Sequence, residues 1–144
     1  MNMRGLGLDL GERRIGLALS DPLELTAQAL SVWQRKGSQQ QDLKYLHKVI
    51  QDYEVSGLVI GLPKNMNGSE GPMADKAREF GAALEKLSGI PIEYWDERLS
   101  TSSAQRVLIE ADLSRKKRKG KIDQVAAAII LQNFLDFKKG IKIN

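Results

Sequence analysis

Between Arg4 and Gly11 the chain reads RGLGLDLG, with Leu6, Leu8 and Leu10 at one parity and Gly5, Gly7, Asp9 and Gly11 at the other. A period of two predicts an extended strand with one apolar face and one nearly bare face. The glycines leave that second face open to close approach by something else. A bare face with a single carboxylate suits a bound ion or phosphate. The same pattern also suits a helix pressed onto the glycines, with Asp9 satisfied by nearby backbone donors. Both readings stand on spacing alone.

The rest of the chain can be read from this strand. A tight turn at 11–13 leads to a second strand at 14–20, which Asp21-Pro22 closes, and a third strand falls between Leu25 and Trp33. Ser38 opens a Ser-x-x-Gln capping box, and Leu43, Leu46, Val49, Ile50 and Tyr53 then recur at helical spacing, which predicts a helix over 38–54. The apolar run 57–61 predicts a buried strand. Ser69 is expected to cap a helix carrying Met73, Ala77, Phe80, Leu84 and Leu87. A strand over 90–95, a helix opening at Ser100 or Thr101, and a last helix over 122–137 complete the order βββαβαβαα. Three strands joined by turns, followed by strands alternating with helices, predict an α/β fold with a mixed sheet covered by helices. With 144 residues and no repeat, low-complexity tract or linker, one domain over 1–144 is expected.

Composition narrows the chemistry. Cysteine is absent and His47 is the only histidine, so disulfide frameworks, thiolate zinc sites and cysteine nucleophiles are excluded, and any metal must be held by oxygen. Twenty-two Lys and Arg against 18 Asp and Glu give +4 and a pI near 9.4, a balance that permits a polyanionic partner. No apolar run approaches the roughly 20 residues of a membrane span, and the N-terminus lacks signal-peptide features. A cytoplasmic protein without a membrane partner is expected.

Three further segments carry charge where chemistry could use it. Asp96, Glu97 and Arg98 stand where a buried strand meets the next helix, the place where α/β sheets usually bind ligands. Either acid could equally be an ordinary solvated group paired with Arg98. Asp123 follows the run RKKRKGK at 115–121, in which Arg115, Lys116, Lys117, Arg118, Lys119 and Lys121 are basic. Such a run is ordinarily a solvated loop, and Asp123 alone could be a first-turn acid favoured by the helix macrodipole. Placed together, they suggest phosphate tracking beside an acid; each phosphate neutralised would contribute about −0.9 to the salt slope of binding. The loop 61–71 joins a strand to a helix start, and its Lys64, Asn65 and backbone N–H groups could hold an anion, although its spacing is not that of a Walker loop.

Three blocks, LDLGERRIGLALSD at 8–21, GLVIGLPKNMNGSEGP at 57–72 and DERLSTSSA at 96–104, followed by KGKIDQVAAAIIL at 119–131, resemble the YqgF/RuvX family of RNase H-like proteins. The resemblance spans nearly the whole chain. It implies an RNase H-like α/β fold, a five-stranded mixed sheet flanked by helices. Family members are described as Holliday-junction resolvases in DNA recombination and repair, and as nucleases that process the 5′ end of precursor 16S ribosomal RNA in ribosome biogenesis. By position, Asp9, Glu97 and Asp123 match the family's three acids. Leu10 and Glu12 stand where Tyr and Thr are commoner, and Asn67 where Asp is common. These departures leave the acids untouched and bear on the substrate groove.

The resemblance therefore implies a hydrolase of phosphodiester bonds. Three converging carboxylates suit hard cations, Mg²⁺ or Mn²⁺, and one or two such ions would serve both the attacking water and the leaving oxygen. Lys64, Arg98 and the 115–121 run are the expected nucleic-acid contacts, whether to structured RNA or branched DNA, in a monomer or homodimer. Without metal, two like charges about 5 Å apart at an effective dielectric of about 20 repel by roughly 3 kcal/mol. Two rival readings remain. A non-catalytic nucleic-acid-binding module would keep the fold and the basic loop. An actin-like ATPase or sugar kinase would explain Asp9-x-Gly11 and Gly16, but those folds place ATP between two duplicated domains.

Overall fold

A computed structural model describes residues 4–97 and 118–140, with 118–124 by backbone alone. Its elements are β1 (Arg4–Leu10), β2 (Arg14–Ser20), β3 (Ala27–Gln34), α1 (Gln39–Asp52), β4 (Val55–Leu62), α2 (Pro72–Ser88), β5 (Ile92–Asp96) and α3 (Arg118–Lys138). The helix expected from Ser100 or Thr101 lies outside the described residues. The five strands form one sheet in the order β3-β2-β1-β4-β5. β1, β2 and β3 pair antiparallel, while β4 runs parallel to both β1 and β5. This is the mixed sheet expected from the sequence.

The period-two pattern of β1 sorts the core into two layers. Leu6 and Leu8, with Ile15, Leu17, Leu58, Ile60 and Leu62 from the neighbouring strands, meet Leu46, Val49 and Ile50 of α1 and Ala77, Phe80 and Leu84 of α2. Each such leucine contributes roughly 1.5–3 kcal/mol when fully buried. The opposite layer is thinner, with Ala18, Val59 and Trp95 against Ala127, Ile130, Leu131 and Leu135 of α3. The aromatics Trp33 and Tyr45 stack at 4.1 Å, and Trp95 meets Phe134 edge-on at 6.0 Å. No helix of the described residues is long and apolar enough to cross a membrane.

Helix boundaries follow local chemistry, with two corrections. Ser38 caps α1 as expected, its Oγ accepting from the Gln41 N–H at 3.4 Å. Ser69 does not cap α2. Gly71 is the N-cap and Pro72 follows it; proline's fixed φ and missing N–H suit the first helical position, while Ser69 is engaged with Asn65 and Asn67 in the preceding loop. The second correction concerns α3, which begins at Arg118 rather than at 122. Lys and Arg are good helix formers, so the end of the basic run joins the helix. Asp123 is consequently past the first turn, where the macrodipole's benefit has faded.

Candidate active site

The glycines of β1 are covered by α3. A methyl group added at Gly7 would lie 2.8 Å from Leu131 Cβ and 3.1 Å from the Ala127 carbonyl oxygen; one at Gly5 would lie 3.4 Å from Leu131 Cδ1. Glycine is what lets the helix backbone approach the sheet this closely. The helix-packing reading of the bare face is therefore correct for Gly5 and Gly7, and Asp9 follows on the same face at the carboxyl end of β1.

A second acid reaches that end from β5, across the neighbouring strand β4. β1 and β4 run in parallel register, with Leu8 opposite Ile60, and one step further sets Asp9 beside Gly61. Neighbouring strands are about 4.8 Å apart. Over Gly61 rests the Glu97 side chain: a methyl group there would lie 2.7 Å from Glu97 Oε1 and 2.6 Å from Ile130 Cδ1 of α3. Asp9, on β1, and Glu97, just after β5, thus occupy the α3 face at the carboxyl end of the sheet, with Glu97 reaching over the intervening β4. Both are half-buried, and neither is without a partner. Asp96 pairs in register with Leu62, whose side chain belongs to the layer under α1 and α2. Strand alternation therefore separates Asp96 from Glu97.

Asp123 lies on α3 one turn before Ala127. Leu131 covers Gly5 and Gly7, and Ala127 covers Gly7, so the helix runs backwards toward the Asp9 end of β1. Four helical residues advance about 6 Å, close to the rise of two strand residues. Its carboxylate lies outside the described side chains. Among the described residues, no group of three His, Cys, Asp or Glu side chains is placed to hold a metal.

The expected cations divide likewise. Lys64 follows β4 directly and pairs with Glu70 across a short antiparallel bridge, Nζ to Oε2 at 3.9 Å. The turn between them is closed by Asn65 N–H to the Ser69 carbonyl at 2.9 Å and Gly68 N–H to the Asn65 carbonyl at 2.9 Å, with Gly68 at φ +88°. A type I turn followed by a left-handed glycine is a common hairpin closure. Arg78 donates to both Glu70 oxygens at 2.7 and 2.8 Å, and this hydrogen bonding holds the Glu70 carboxyl below its ordinary pKa. Arg118, Lys119 and Lys121 belong to the start of α3, their side chains outside the described part; Arg98, Arg115, Lys116 and Lys117 lie outside the described residues.

One device was not anticipated. Asp42 is fully buried at 1% exposure, accepting from Trp33 Nε1 at 2.7 Å and Arg35 Nε at 2.9 Å. Arg35 Nη1 donates to the Gly11 carbonyl at 2.8 Å, and the Arg35 N–H donates to the Arg13 carbonyl at 2.8 Å. An ion pair whose carboxylate is buried thus braces the turn two residues after Asp9. The signal in the sequence is an acid four positions before Leu46, inside the apolar stripe of α1.

The profile of a family described as "RuvX: Holliday junction resolvase" matches residues 3–137. The chain belongs to the RuvX family. Within curated RuvX-like relatives, a protein of Syntrophomonas wolfei named "Putative pre-16S rRNA nuclease" is 56% identical over 93% of this chain and 94% of its own length. One of Halothermothrix orenii, with the same name, is 54% identical over 94% of this chain and 96% of its own. Among solved structures, the RuvC of T. thermophilus in complex with a Holliday junction substrate superposes with a TM-score of 0.68 at 13% identity, covering 98% of each chain. That likeness establishes the RuvC-type, RNase H-like fold expected for RuvX.

Proposed function

We propose that this RuvX protein is a metal-dependent nuclease that hydrolyses phosphodiester bonds at the α3 side of the β1 and β4 carboxyl ends, acting in the processing of the 5′ end of pre-16S rRNA. The observation that carries the reading is the Glu97 carboxylate lying over Gly61, beside the strand position of Asp9. Asp123, one turn before the residue that covers Gly7, is the third acid. The donor set fits a hard divalent cation, being carboxylate oxygen with no Cys or His among the three. Asp9, Glu97 and Asp123 would hold Mg²⁺ or Mn²⁺, which supplies Lewis-acid activation at the phosphate and neutralises charge in the transition state. The chain's own part is positional. α3 and the glycine face fix the acids on rigid elements, and the Arg35–Asp42 brace fixes the turn after Asp9. Lys64, Arg98 and the basic residues at 115–121 draw in and orient the polyanionic backbone.

The relatives' names favour ribosomal RNA as substrate, and the family description favours a Holliday junction. The second reading needs two active sites, hence two copies of the chain. One experiment addresses both: cleavage of a pre-16S 5′ fragment and of a synthetic four-way junction by the parent and by Asp9→Asn, with and without Mg²⁺. Cleavage is expected to require metal, to fall by at least 100-fold in Asp9→Asn, and to leave the melting temperature at or above that of the parent. Cutting by Asp9→Asn at the parental rate would refute the site. Tight, salt-sensitive binding without product would make the protein a binding module instead.

A further inference from the structure

On the other side of the sheet, under the same carboxyl ends, lies a cleft of about 830 Å³, within the roughly 300–1,000 Å³ of small-molecule sites. It opens where Leu10 and Gly11 end β1, Pro63 follows β4, and the first turns of α1 and α2 diverge. We propose that it is a nucleotide subsite that takes one nucleoside monophosphate unit, with its phosphate on Arg35 and Arg13 and its base against Met73 and Pro63. This rests on the nuclease reading above and deepens it, since the unit would come from the substrate strand next to the scissile phosphate or from a free mononucleotide.

Arg35 argues for the phosphate. Its hydrogen bonds to Asp42 and Gly11 use two of the five guanidinium N–H groups, and the guanidinium carbon stands 5.7 Å from the Phe80 ring centroid. A guanidinium anchored by a buried carboxylate and an aromatic face is pre-organised, and Arg35 lines the cleft. Arg13 and Lys76 add positive charge at the exposed rim, where Glu12 and Glu79 also stand. Arg35 and Asp42 cancel in charge, as the rim cations and acids do, so a phosphate would be held by directed guanidinium hydrogen bonds rather than by net charge. The apolar part of the lining suits a flat base, which stacks without regard to sequence.

Distance argues for the strand. Gly11 is two residues from Asp9, a reach of about 7 Å, and phosphates of one strand advance about 3.4 Å each along a helix. A nucleotide two or three steps from the reacting phosphate therefore meets the cleft after passing over the turn that Arg35 braces.

The test uses the full chain as Asp9→Asn, so that an eight-nucleotide single-stranded RNA stays intact. The chain has two tryptophans, and the indole N–H of Trp33 is bonded to Asp42 at the cleft wall. Its NMR cross-peak is expected to shift saturably with the RNA, and not when Arg13→Glu and Lys76→Glu are combined. If adenosine monophosphate alone moves it, the site takes the free mononucleotide; if only the RNA does, it takes the strand. In the otherwise parental enzyme, the same pair of substitutions should raise KM about tenfold and leave kcat within twofold, with melting unchanged. A Trp33 peak that stays static at saturating RNA and at saturating adenosine monophosphate overturns the subsite, and an unchanged KM rules out the substrate strand as its occupant. Metal-dependent cleavage with a static Trp33 sinks the subsite alone. A shifting Trp33 in a chain that never cleaves sinks the nuclease reading alone.

Discussion

The two layers of this sheet are built to opposite rules. Under α1 and α2 the strands present leucine and isoleucine, and the helices stand off on large side chains. Under α3 they present Gly5, Gly7, Ala18 and Gly61, and the helix backbone comes within van der Waals reach of the sheet. The thick layer provides most of the apolar burial. The thin layer gives short carboxylates a chance to meet, because an aspartate reaches only a few ångströms from its backbone. Most of the apolar burial and the proposed metal site thus lie on opposite sides of the same strands, divided by adjacent residues such as Leu8 and Asp9.

Substitutions one residue apart should expose that division. Leu8→Ala, which opens a cavity in the thick layer, is expected to cost about 2–5 kcal/mol in denaturant unfolding, with specific activity of the folded fraction retained. Gly7→Ala is expected to cost about 1–3 kcal/mol by overpacking, because the new methyl meets Leu131 Cβ and the Ala127 carbonyl, neither of which can swing aside. It should also lose cleavage in the folded fraction as α3 is pushed off the sheet. Equal activity losses in both would erase the distinction between layers.

Gly61→Ala sharpens the comparison. Its methyl would meet the far ends of two flexible side chains, Glu97 Oε1 and Ile130 Cδ1, so its stability cost should fall below that of Gly7→Ala. Displacing the Glu97 carboxylate should nonetheless raise the Mg²⁺ concentration needed for half-maximal cleavage several-fold. An unchanged metal requirement would remove Glu97 from the site.

The smallest effect lies far from either layer. The Asp21 carboxylate accepts from the N–H groups of Thr26, Leu25 and Leu23, and these bonds, Thr26 first, hold its pKa below the usual aspartate value. A depressed folded-state pKa means stabilisation that is present above the unfolded pKa and lost as pH falls through the folded one. Carboxyl titration by NMR should place Asp21 below ordinary aspartates, and Asp21→Asn should flatten the acid limb of stability only slightly.

Much of this was legible before any coordinates, for definite reasons. β1 could be read because alternation on a strand leaves a period that survives in the letters, and α1 because Ser38 and its stripe mark both start and face. The nearness of Asp9 and Glu97 could not be read from spacing: strand register sets Gly61 beside Asp9 and Glu97 rests over Gly61, and only the family resemblance pointed to these two acids and to Asp123. Spacing alone leaves Asp96 and Glu97 equivalent; the resemblance singles out Glu97, and the pairing of Leu62 with Asp96 sets Asp96 on the opposite face. The start of α3 was misjudged because consecutive Lys and Arg look like a solvated loop and are also good helix formers. For the Arg35–Asp42 pair only half is visible in the letters: Asp42 sits in the α1 stripe, while its loop partner Arg35 belongs to no periodic pattern.

The close seating of Leu131 on Gly7 joins parts of the chain made far apart in time. Ribosomes add about 5–20 residues per second, so the interval between synthesis of the first strand and of the helix that covers it is roughly 6–25 s. Throughout that interval the nascent protein holds its first acid without the helix that carries the third. A protein that cuts the precursor of ribosomal RNA would therefore be born harmless to the machine that is making it.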